Sequence, residues 1–328
     1  MVRFAVVVLA LVFATPAQAG EFWEQQANAR AYARQRAALV AEGDRFLAEA
    51  QKRMADVSFE SATPNVVQQA ARNAVAAYER ALTLGDDADI HYLAFFAARF
   101  IDDRKTGICA SCRDGFEAVI RHSEAVLRLD PRTAHARELV SQARQALSKL
   151  GGLMGVGPEG DAYLERALEM YDRWRTLVDD VSDQHNAAQD RASSYGNSAE
   201  LMMALGRLDD AIDWYRRAIE IHPSREELHH FGLGVAYDRD GQWSKARAEM
   251  RIAFEQAGRS LEVLSQPNVF FVPLGDVYYY LGLMHQILGN REVAIANYNR
   301  FLTLSPNNRY QERAREHLEE LTKGAPRP

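Results

Sequence analysis

A glycine followed by an amphipathic helical phrase occurs three times in the second half of the chain. The copies begin at Gly206, Gly241 and Gly289, and in each an alanine lies five residues after the glycine and a bulky residue nine after it. Since residues three and four positions apart share one face of a helix, this spacing predicts an apolar stripe with a small side chain where another backbone approaches closely. Such stripes are all buried when the copies stack on one another. The repetition therefore predicts an array of packed helices.

A second helical pattern precedes each of these glycines, so the repeating unit is a helix pair. Counting back from the glycines gives units of 34 residues at 192–225, 227–260 and 275–308. Pro223 and Pro306 end two of the units, because proline cannot continue the hydrogen-bond pattern of a helix. The period, the small residues in both helices and the closing prolines resemble the tetratricopeptide repeat family. This resemblance implies an all-α, right-handed superhelical solenoid of antiparallel helix pairs.

The solenoid domain is predicted to span residues 161–323. Between its second and third units lie 14 additional residues, Leu261–Leu274, in which two prolines enclose four apolar residues. This insert reads as an extended segment, which either covers a gap between helices or forms the hydrophobic edge of a groove. Residues 309–323 match a capping helix that covers the last apolar surface of a solenoid. Residues 324–328 are expected to be disordered.

The repeat pattern is degenerate in the N-terminal helical region, residues 20–150. One helix pair is predicted over about Ala88–Arg132, with a long insert between its two helices. A glycine-rich loop at 151–160 then separates this region from the solenoid. The loop contains G-x-G-x-x-G, but an amphipathic helix precedes it, whereas the dinucleotide-binding motif requires a strand there. We interpret the loop as a connection between helices.

The first 19 residues have the features of a secretory signal peptide. Arg3 precedes an apolar run from Phe4 to Ala14, and Ala17-Gln18-Ala19 follows, which predicts cleavage after Ala19. The apolar run is shorter than the roughly 20 residues of a membrane-spanning helix, so we expect no membrane span. The sequence thus predicts a periplasmic or secreted protein.

Charge and motif content exclude several classes of function. The chain has 39 Lys and Arg and 45 Asp and Glu, with a formal net charge of -6, and its basic residues are scattered, so nucleic acid is not an expected partner. Neither a nucleophile elbow, a phosphate-binding loop nor a metal-ligand motif occurs. We expect a protein that is not an enzyme, with no cofactor and no metal site.

The two cysteines, Cys109 and Cys112, are the remaining chemically reactive pair. An even number of cysteines in an exported protein favours a disulfide, which would constrain the insert of the degenerate repeat. Thiol-disulfide exchange is the alternative, because a helix is predicted to begin just after Cys112, and a helix N-terminus lowers the pKa of nearby thiols.

The resemblance to the repeat family also implies a binding groove, lined by fixed positions of the first helix of each unit. A protein or peptide partner would bind there, with its apolar face on a hydrophobic floor and charged residues at the edges. Besides this adaptor role, a thiol-disulfide exchange factor and a structural subunit of an envelope complex remain possible functions. The groove positions transferred to this sequence are Glu200, Met203, Leu228, Phe231, Val235, Asp238, Arg239, Asp276, Tyr279, Leu283 and Gln286.

Overall fold

The computed structural model describes residues 16–55, 57, 63–101, 112–179, 184–221, 226–266 and 269–323. Regular structure in these residues is helical, with three short 3-10 turns at Arg99–Ile101, Glu262–Ser265 and Leu274–Asp276. The α-helices in the described ranges are α1 (Pro16–Ala55), α2 (Asn65–Leu82), α3 (Ala88–Ala98), α4 (Arg113–Leu129), α5 (Ala136–Met154), α6 (Pro158–Asp179), α7 (Gln184–Ala204), α8 (Leu208–Ile221), α9 (Glu226–Arg239), α10 (Trp243–Gln256), α11 (Val277–Ile287), α12 (Arg291–Leu304) and α13 (Gln311–Lys323).

These helices pack in consecutive pairs. The pairs are α1 with α2, α3 with α4, α5 with α6, α7 with α8, α9 with α10 and α11 with α12. Most neighbouring pairs are also in contact with each other. The second helix of one pair packs against the first helix of the following pair. This arrangement is an all-α solenoid of helix pairs, as predicted. The pairing continues through the N-terminal half, where the sequence indicated one degenerate unit.

The three repeat glycines lie at the turns between the helices of a pair. Gly206, Gly241 and Gly289 have φ values of 82, 78 and 80 degrees, in the left-handed region where a Cβ atom is unfavourable. At the first turn, the N–H of Arg207 donates to the carbonyl of Met202 at 2.8 Å, the closure typical of a helix C-terminus. The glycines therefore end the first helix of each unit and redirect the chain into the second.

Glycines inside the helices allow the close crossing that the small-residue positions predict. A Cβ atom on Gly234 would lie 2.7 Å from Cγ of Met250, and one on Gly282 would lie 2.9 Å from the ring of Tyr298. Met250 and Tyr298 are the bulky residues of the repeated phrase, and both are fully buried. The repeated phrase thus packs its large side chain directly against the partner helix backbone.

One boundary differs from the sequence predictions. The glycine-rich loop is shorter than 151–160, because α5 continues to Met154 and α6 begins at Pro158. Gly151 lies within α5, where a Cβ atom would be 2.3 Å from the Leu164 side chain, so its role is helix packing. At the N-terminus, α1 begins at Pro16 and continues past Ala19, and the signal peptide and its cleavage stay predictions. The predicted disordered tail lies outside the described residues.

The insert between the second and third units crosses from α10 to α11 with little regular structure. Its two 3-10 turns pack against α11 and α12, and its aromatic residues reach other helices: Phe270 stacks edge-on with Tyr171, and Phe271 with Tyr280. The insert therefore packs against several helices, and its residues also line a cavity described below. Its two predicted roles, covering a gap and forming the edge of a groove, stay predictions.

The connection from α12 to α13, which we call the C-terminal turn (residues 305–310), folds back onto earlier helix ends. The N–H of Val156 donates to the carbonyl of Asn307 at 3.2 Å, and the Tyr310 hydroxyl donates to the carbonyl of Met203 at 2.7 Å. Arg309 forms an ion pair with Asp161 at 2.5 Å. These contacts connect the last repeat with the α5–α6 and α7–α8 turns and enclose the space between them.

Candidate functional site

The predicted groove residues come from α7, α9 and α11 and the turn before α11, the first helices of the three units. Nine of the eleven side chains are buried, whereas Leu228 and Gln286 are half-buried. The predicted open floor is therefore wrong as a description of the surface. α13, the insert and the C-terminal turn contact six of these residues: Glu200, Met203, Asp238, Arg239, Asp276 and Tyr279. Their role in partner binding stays a prediction. The buried residues are Glu200, Met203, Phe231, Val235, Asp238, Arg239, Asp276, Tyr279 and Leu283.

Arg239 and Asp276 form a buried ion pair between α9 and the turn before α11. One guanidinium nitrogen donates to both carboxylate oxygens at 2.8 Å, and Asn308 of the C-terminal turn donates to the same carboxylate at 3.0 Å. The Arg239 guanidinium also stacks on the rings of Tyr279 and Tyr310. Burial by itself lowers the pKa of Arg239, but Asp276 raises it above its ordinary value. Burial raises the pKa of Asp276, and the Arg239 guanidinium acts in the opposite direction. The pair fixes the second unit to the third.

Asp238 connects α9, α11 and the capping helix α13. It accepts hydrogen bonds from the Tyr279 hydroxyl at 2.6 Å, from Nε2 of His317 at 2.8 Å and from Arg313 at 2.8 Å. Burial opposes ionisation of this carboxyl, but His317 and Arg313 hold its pKa below its usual range. A buried carboxylate with three donors is stable as the anion. It is therefore part of the structural core.

Glu200 has a different environment, because its hydrogen-bond donors are neutral. Its Oε2 accepts from the hydroxyls of Tyr215 at 2.8 Å and Tyr280 at 2.6 Å. Its Oε1 accepts from the N–H of Val272, in the insert, at 3.4 Å. Burial, followed by the negative charge of Asp276, raises the pKa of Glu200 to about 7. This carboxyl therefore changes its charge near neutral pH.

A cleft of about 880 Å³ lies where the C-terminal turn meets the α5–α6 corner. The insert and one face of α11 form its other walls, and Asp161, Asn308 and Arg309 supply polar groups. Two large apolar side chains at the cleft are well exposed, Val156 at 43% and Leu304 at 52%. The apolar residues that line the cleft are Leu153, Val156, Leu164, Ala204, Leu264, Val269, Phe271, Val272, Pro273, Val277, Leu281, Leu304 and Pro306.

A second cavity, of about 180 Å³, lies on the other side of the insert. We call it the Glu200 pocket, and its lining comes from α7, from Tyr215 of α8, from the start of α9, from the insert and from Tyr280. Leu264, Val269 and Phe271 line both cavities and so form the wall between them. Among the predicted groove residues, Glu200 and Leu228 line this pocket.

Some side chains that contact the predicted floor are not among the predicted site residues. His317 and Arg313 lie in the predicted capping helix, residues 309–323, and Tyr280 lies one residue after the predicted groove position Tyr279. A buried histidine has no marker in sequence, because its burial depends on Asp238, 79 residues away. For Tyr280 a signal was available, because adjacent residues of a helix point in different directions. Tyr279 and Tyr280 accordingly contact different carboxylates, Asp238 and Glu200.

One of the two predicted disulfide cysteines, Cys112, lies within the described residues. Cys112 is completely buried at the position just before α4, and Cys109 lies outside the described residues. The disulfide and the alternative of thiol exchange both stay predictions.

Comparison with known families matches two of the predicted units. The tetratricopeptide repeat model matches residues 192–225 and 275–308, the same bounds that the glycine spacing gave. These segments comprise α7 with α8 and the final 3-10 turn with α11 and α12. The chain contains tetratricopeptide repeats. Repeats of this family support a general role as a protein-interaction scaffold. Scaffolds with this fold are typically not enzymes.

Several solved structures are similar to this chain. MamA has 16% identity and a TM-score of 0.36, over 58% of this chain and 91% of that chain. The TPR domain of P58(IPK) has 14% identity and a TM-score of 0.37, over 94% of this chain and 69% of that chain. The quorum sensor NprR from B. thuringiensis has 10% identity and a TM-score of 0.36, over 78% and 72% of the two chains. No curated protein matches the chain.

Within the described residues no helix has the length and apolarity needed to cross a membrane. In the same part of the chain, no group of three or more His, Cys, Asp and Glu side chains is placed to hold a metal ion.

Proposed function

We propose that this protein is an exported, non-enzymatic scaffold that binds an apolar segment of a protein partner in the cleft beside Leu304. The cleft itself is the observation that carries this proposal. Its volume of about 880 Å³ lies within the range of pockets that hold specific ligands, about 300–1,000 Å³. The repeats support protein as the class of partner, and the lining supports an apolar segment.

The exposed fractions at the cleft argue for an occupant. A soluble surface tolerates single exposed apolar residues, but Val156 and Leu304 are exposed at the same apolar cavity. Burying one such side chain in an interface stabilises a complex by about 1.5–3 kcal/mol. Because Asp161 and Arg309 neutralise each other at the cleft, the site offers little net charge, and a segment without charged residues suits it best.

The export and the disulfide belong to the same proposal. The signal peptide features of residues 1–19 support a periplasmic or secreted location, where the partner would be another protein of the cell envelope. Such a compartment permits a disulfide between Cys109 and Cys112, and the complete burial of Cys112 favours a structural role over exchange.

Intact-mass measurement tests the disulfide: iodoacetamide should add no mass to the denatured protein before reduction, and two carbamidomethyl groups after it. Alkylation without reduction would refute the disulfide.

A photo-crosslinking experiment tests the binding site. A photoreactive amino acid replaces Leu304 in one variant and Ile252, on α10, in a second. Ile252 is similarly exposed, at 42%, and does not line the cleft. Irradiation in the cell envelope should give a protein adduct from position 304 that is absent from position 252, and mass spectrometry should map the adduct to an apolar segment. Equal adducts from both positions, or none from position 304, would contradict the proposal.

A further inference from the structure

The Glu200 pocket combines one carboxylate with a lining that holds no compensating positive charge. Among the described residues that form it, Glu200 is the one acidic residue and neither Lys nor Arg occurs. The basic residue that acts on Glu200 through space, Arg239, is bound to both oxygens of Asp276. A buried carboxylate normally has a cationic partner. Glu200 instead lines a cavity.

One oxygen of Glu200 remains available to a ligand. Oε2 already accepts two short hydrogen bonds, from Tyr215 and Tyr280. Oε1 accepts one long hydrogen bond, 3.4 Å from the N–H of Val272, and a carboxylate oxygen has two lone pairs. A single donor therefore fits at Oε1. An ammonium group donates as a compact point charge, whereas a guanidinium binds best to two free oxygens, so the geometry favours lysine over arginine.

The walls of the pocket suit a cation on an alkyl chain. The rings of Phe270, Phe271 and His229 join the two tyrosines around the cavity. Aromatic faces attract a nearby ammonium and also pack against methylene groups. The volume of about 180 Å³ is below that of pockets for drug-sized ligands, which matches one side chain. Ser193 is the exposed lining residue at the mouth.

We infer that the Glu200 pocket binds the primary ammonium group of a lysine side chain supplied by a protein partner. The ammonium donates to Oε1 of Glu200 while its alkyl chain lies between the aromatic rings. The inference rests on the proposed function for the source of the lysine, but the pocket and the cleft are separate cavities. Binding of a small alkylammonium ion is therefore measurable without any partner.

Binding is coupled to ionisation of Glu200. Because burial raises the pKa of this carboxyl to about 7, part of the population is protonated near neutrality, and only the anion attracts an ammonium. The other titratable and charged groups around it are Tyr215, Tyr280, Tyr310, His229, Asp276 and Arg239. The pKa of each of the three tyrosines is raised by burial, so these hydroxyls stay neutral donors through this range. Affinity should thus rise with pH and level off above 7.

Titration of the purified full chain with n-butylamine, followed by calorimetry, tests the pocket. We expect binding at pH 8 that weakens about tenfold at pH 6, from the protonation of one carboxyl with a pKa near 7, and no binding of n-butanol, which has the same chain without the charge. Glu200→Gln should abolish binding, whereas Glu165→Gln, at an exposed carboxylate on α6, should retain it. Absence of butylamine binding at pH 8, equal binding of butanol, or binding retained in Glu200→Gln would overturn the inference.

A second pair of variants keeps the test valid if Glu200→Gln does not fold. Ser193→Lys places a competing ammonium at the mouth of the pocket and should weaken butylamine binding at least tenfold. Ser244→Lys makes the same charge change at an exposed position of α10 and should leave it unchanged. Equal affinities for the two variants would count against the pocket.

The source of the ammonium is tested with N-acetyl-lysine amide and N-acetyl-norleucine amide. The lysine compound should bind at least as tightly as butylamine, and the norleucine compound should not bind. If butylamine binds and the lysine compound does not, the pocket takes a free amine and the lysine assignment is wrong. The pocket and the cleft are separate cavities, so a failure here leaves the crosslinking result at Leu304 independent.

Discussion

Nε2 of His317 on α13 donates a 2.8 Å hydrogen bond to Oδ2 of Asp238 on α9, and both side chains are completely buried. This contact extends the capping helix beyond its neighbour α12 to the first helix of the second repeat. The His317 ring also stacks on Tyr298, with centroids 4.9 Å apart. The cap is therefore part of the core that positions α9, α11 and the C-terminal turn. Because that turn forms one wall of the cleft, the cap and the proposed site depend on each other.

Replacing His317 by Ala should destabilise the protein strongly. Removing one partner of a buried, hydrogen-bonded charge costs about 3–5 kcal/mol, and Asp238 would keep Arg313 and Tyr279 as donors, so we expect about 3 kcal/mol. Arg315→Ala is the control, since Arg315 is an exposed residue of the same helix whose ion pair with Glu312 contributes up to about 1 kcal/mol. Urea unfolding gives both values. Similar costs for the two variants would show that the Asp238 contact does not anchor the cap.

The raised pKa of Glu200 predicts how stability changes with pH. The native carboxyl titrates near 7 and the unfolded one near its ordinary value of about 4.3, so between these values the native state binds more protons than the unfolded state. The contribution of this carboxyl to the free energy of unfolding is therefore largest at low pH, and it decreases as the pH rises from about 4.3 to about 7. Relative to wild type, Glu200→Gln should gain on the order of 2 kcal/mol between pH 5 and pH 8. Parallel pH profiles of unfolding free energy for the two proteins would refute the raised pKa.

The close approach at Gly234 predicts a rescue experiment. A Cβ atom there would lie 2.7 Å from Cγ of Met250 and 3.2 Å from the backbone nitrogen of Met250, so Gly234→Ala should cost about 1–3 kcal/mol by overpacking. Removing the Met250 side chain relieves most of that clash. In the Met250→Ala background, Gly234→Ala should therefore cost much less, and the double-mutant cycle should give a favourable coupling energy. Additive costs would mean that these two positions do not touch.

The proposed export signal predicts the N-terminus of the mature protein. Cleavage after Ala19 would leave a chain that begins at Gly20, and removal of Arg3 would make the mature net charge more negative. N-terminal sequencing of the protein from the periplasm or the medium gives the answer. A chain that retains Met1 and fractionates with the cytosol would contradict the export proposal.

The repeat architecture was predictable because it depends on local rules that each unit obeys by itself. The turn glycines, the alanines five residues later and the bulky residues of the stripe define each helix pair within 34 residues. The bounds 192–225 and 275–308 follow from this spacing and agree with the matched repeats. The N-terminal pairs lack the repeated phrase, and their pairing depends on apolar surfaces that many helices share.

The candidate site was not predictable in the same way, because it depends on contacts between distant segments. Glu200 meets Tyr280 and Val272, 80 and 72 residues along the chain, and the insert between the second and third units makes this possible. The family pattern transfers groove positions to residues of α7, α9 and α11 and the turn before α11, but it contains no information about an insert that packs against these helices. The 14 additional residues of the insert indicate where the repeat pattern is interrupted. They do not indicate which helices the insert packs against.

The affinity of the crosslinked partner segment for cleft variants tests the central claim most directly. Leu304→Asp and Val156→Asp place charges on exposed apolar residues of the cleft, and Ile252→Asp makes the same change on α10. Fluorescence anisotropy with a labelled synthetic segment should show affinity reduced tenfold or more for the two cleft variants, since losing one buried apolar side chain costs about 1.5–3 kcal/mol, and an unchanged affinity for Ile252→Asp. Equal affinities for all three variants and the wild type would contradict binding in the cleft.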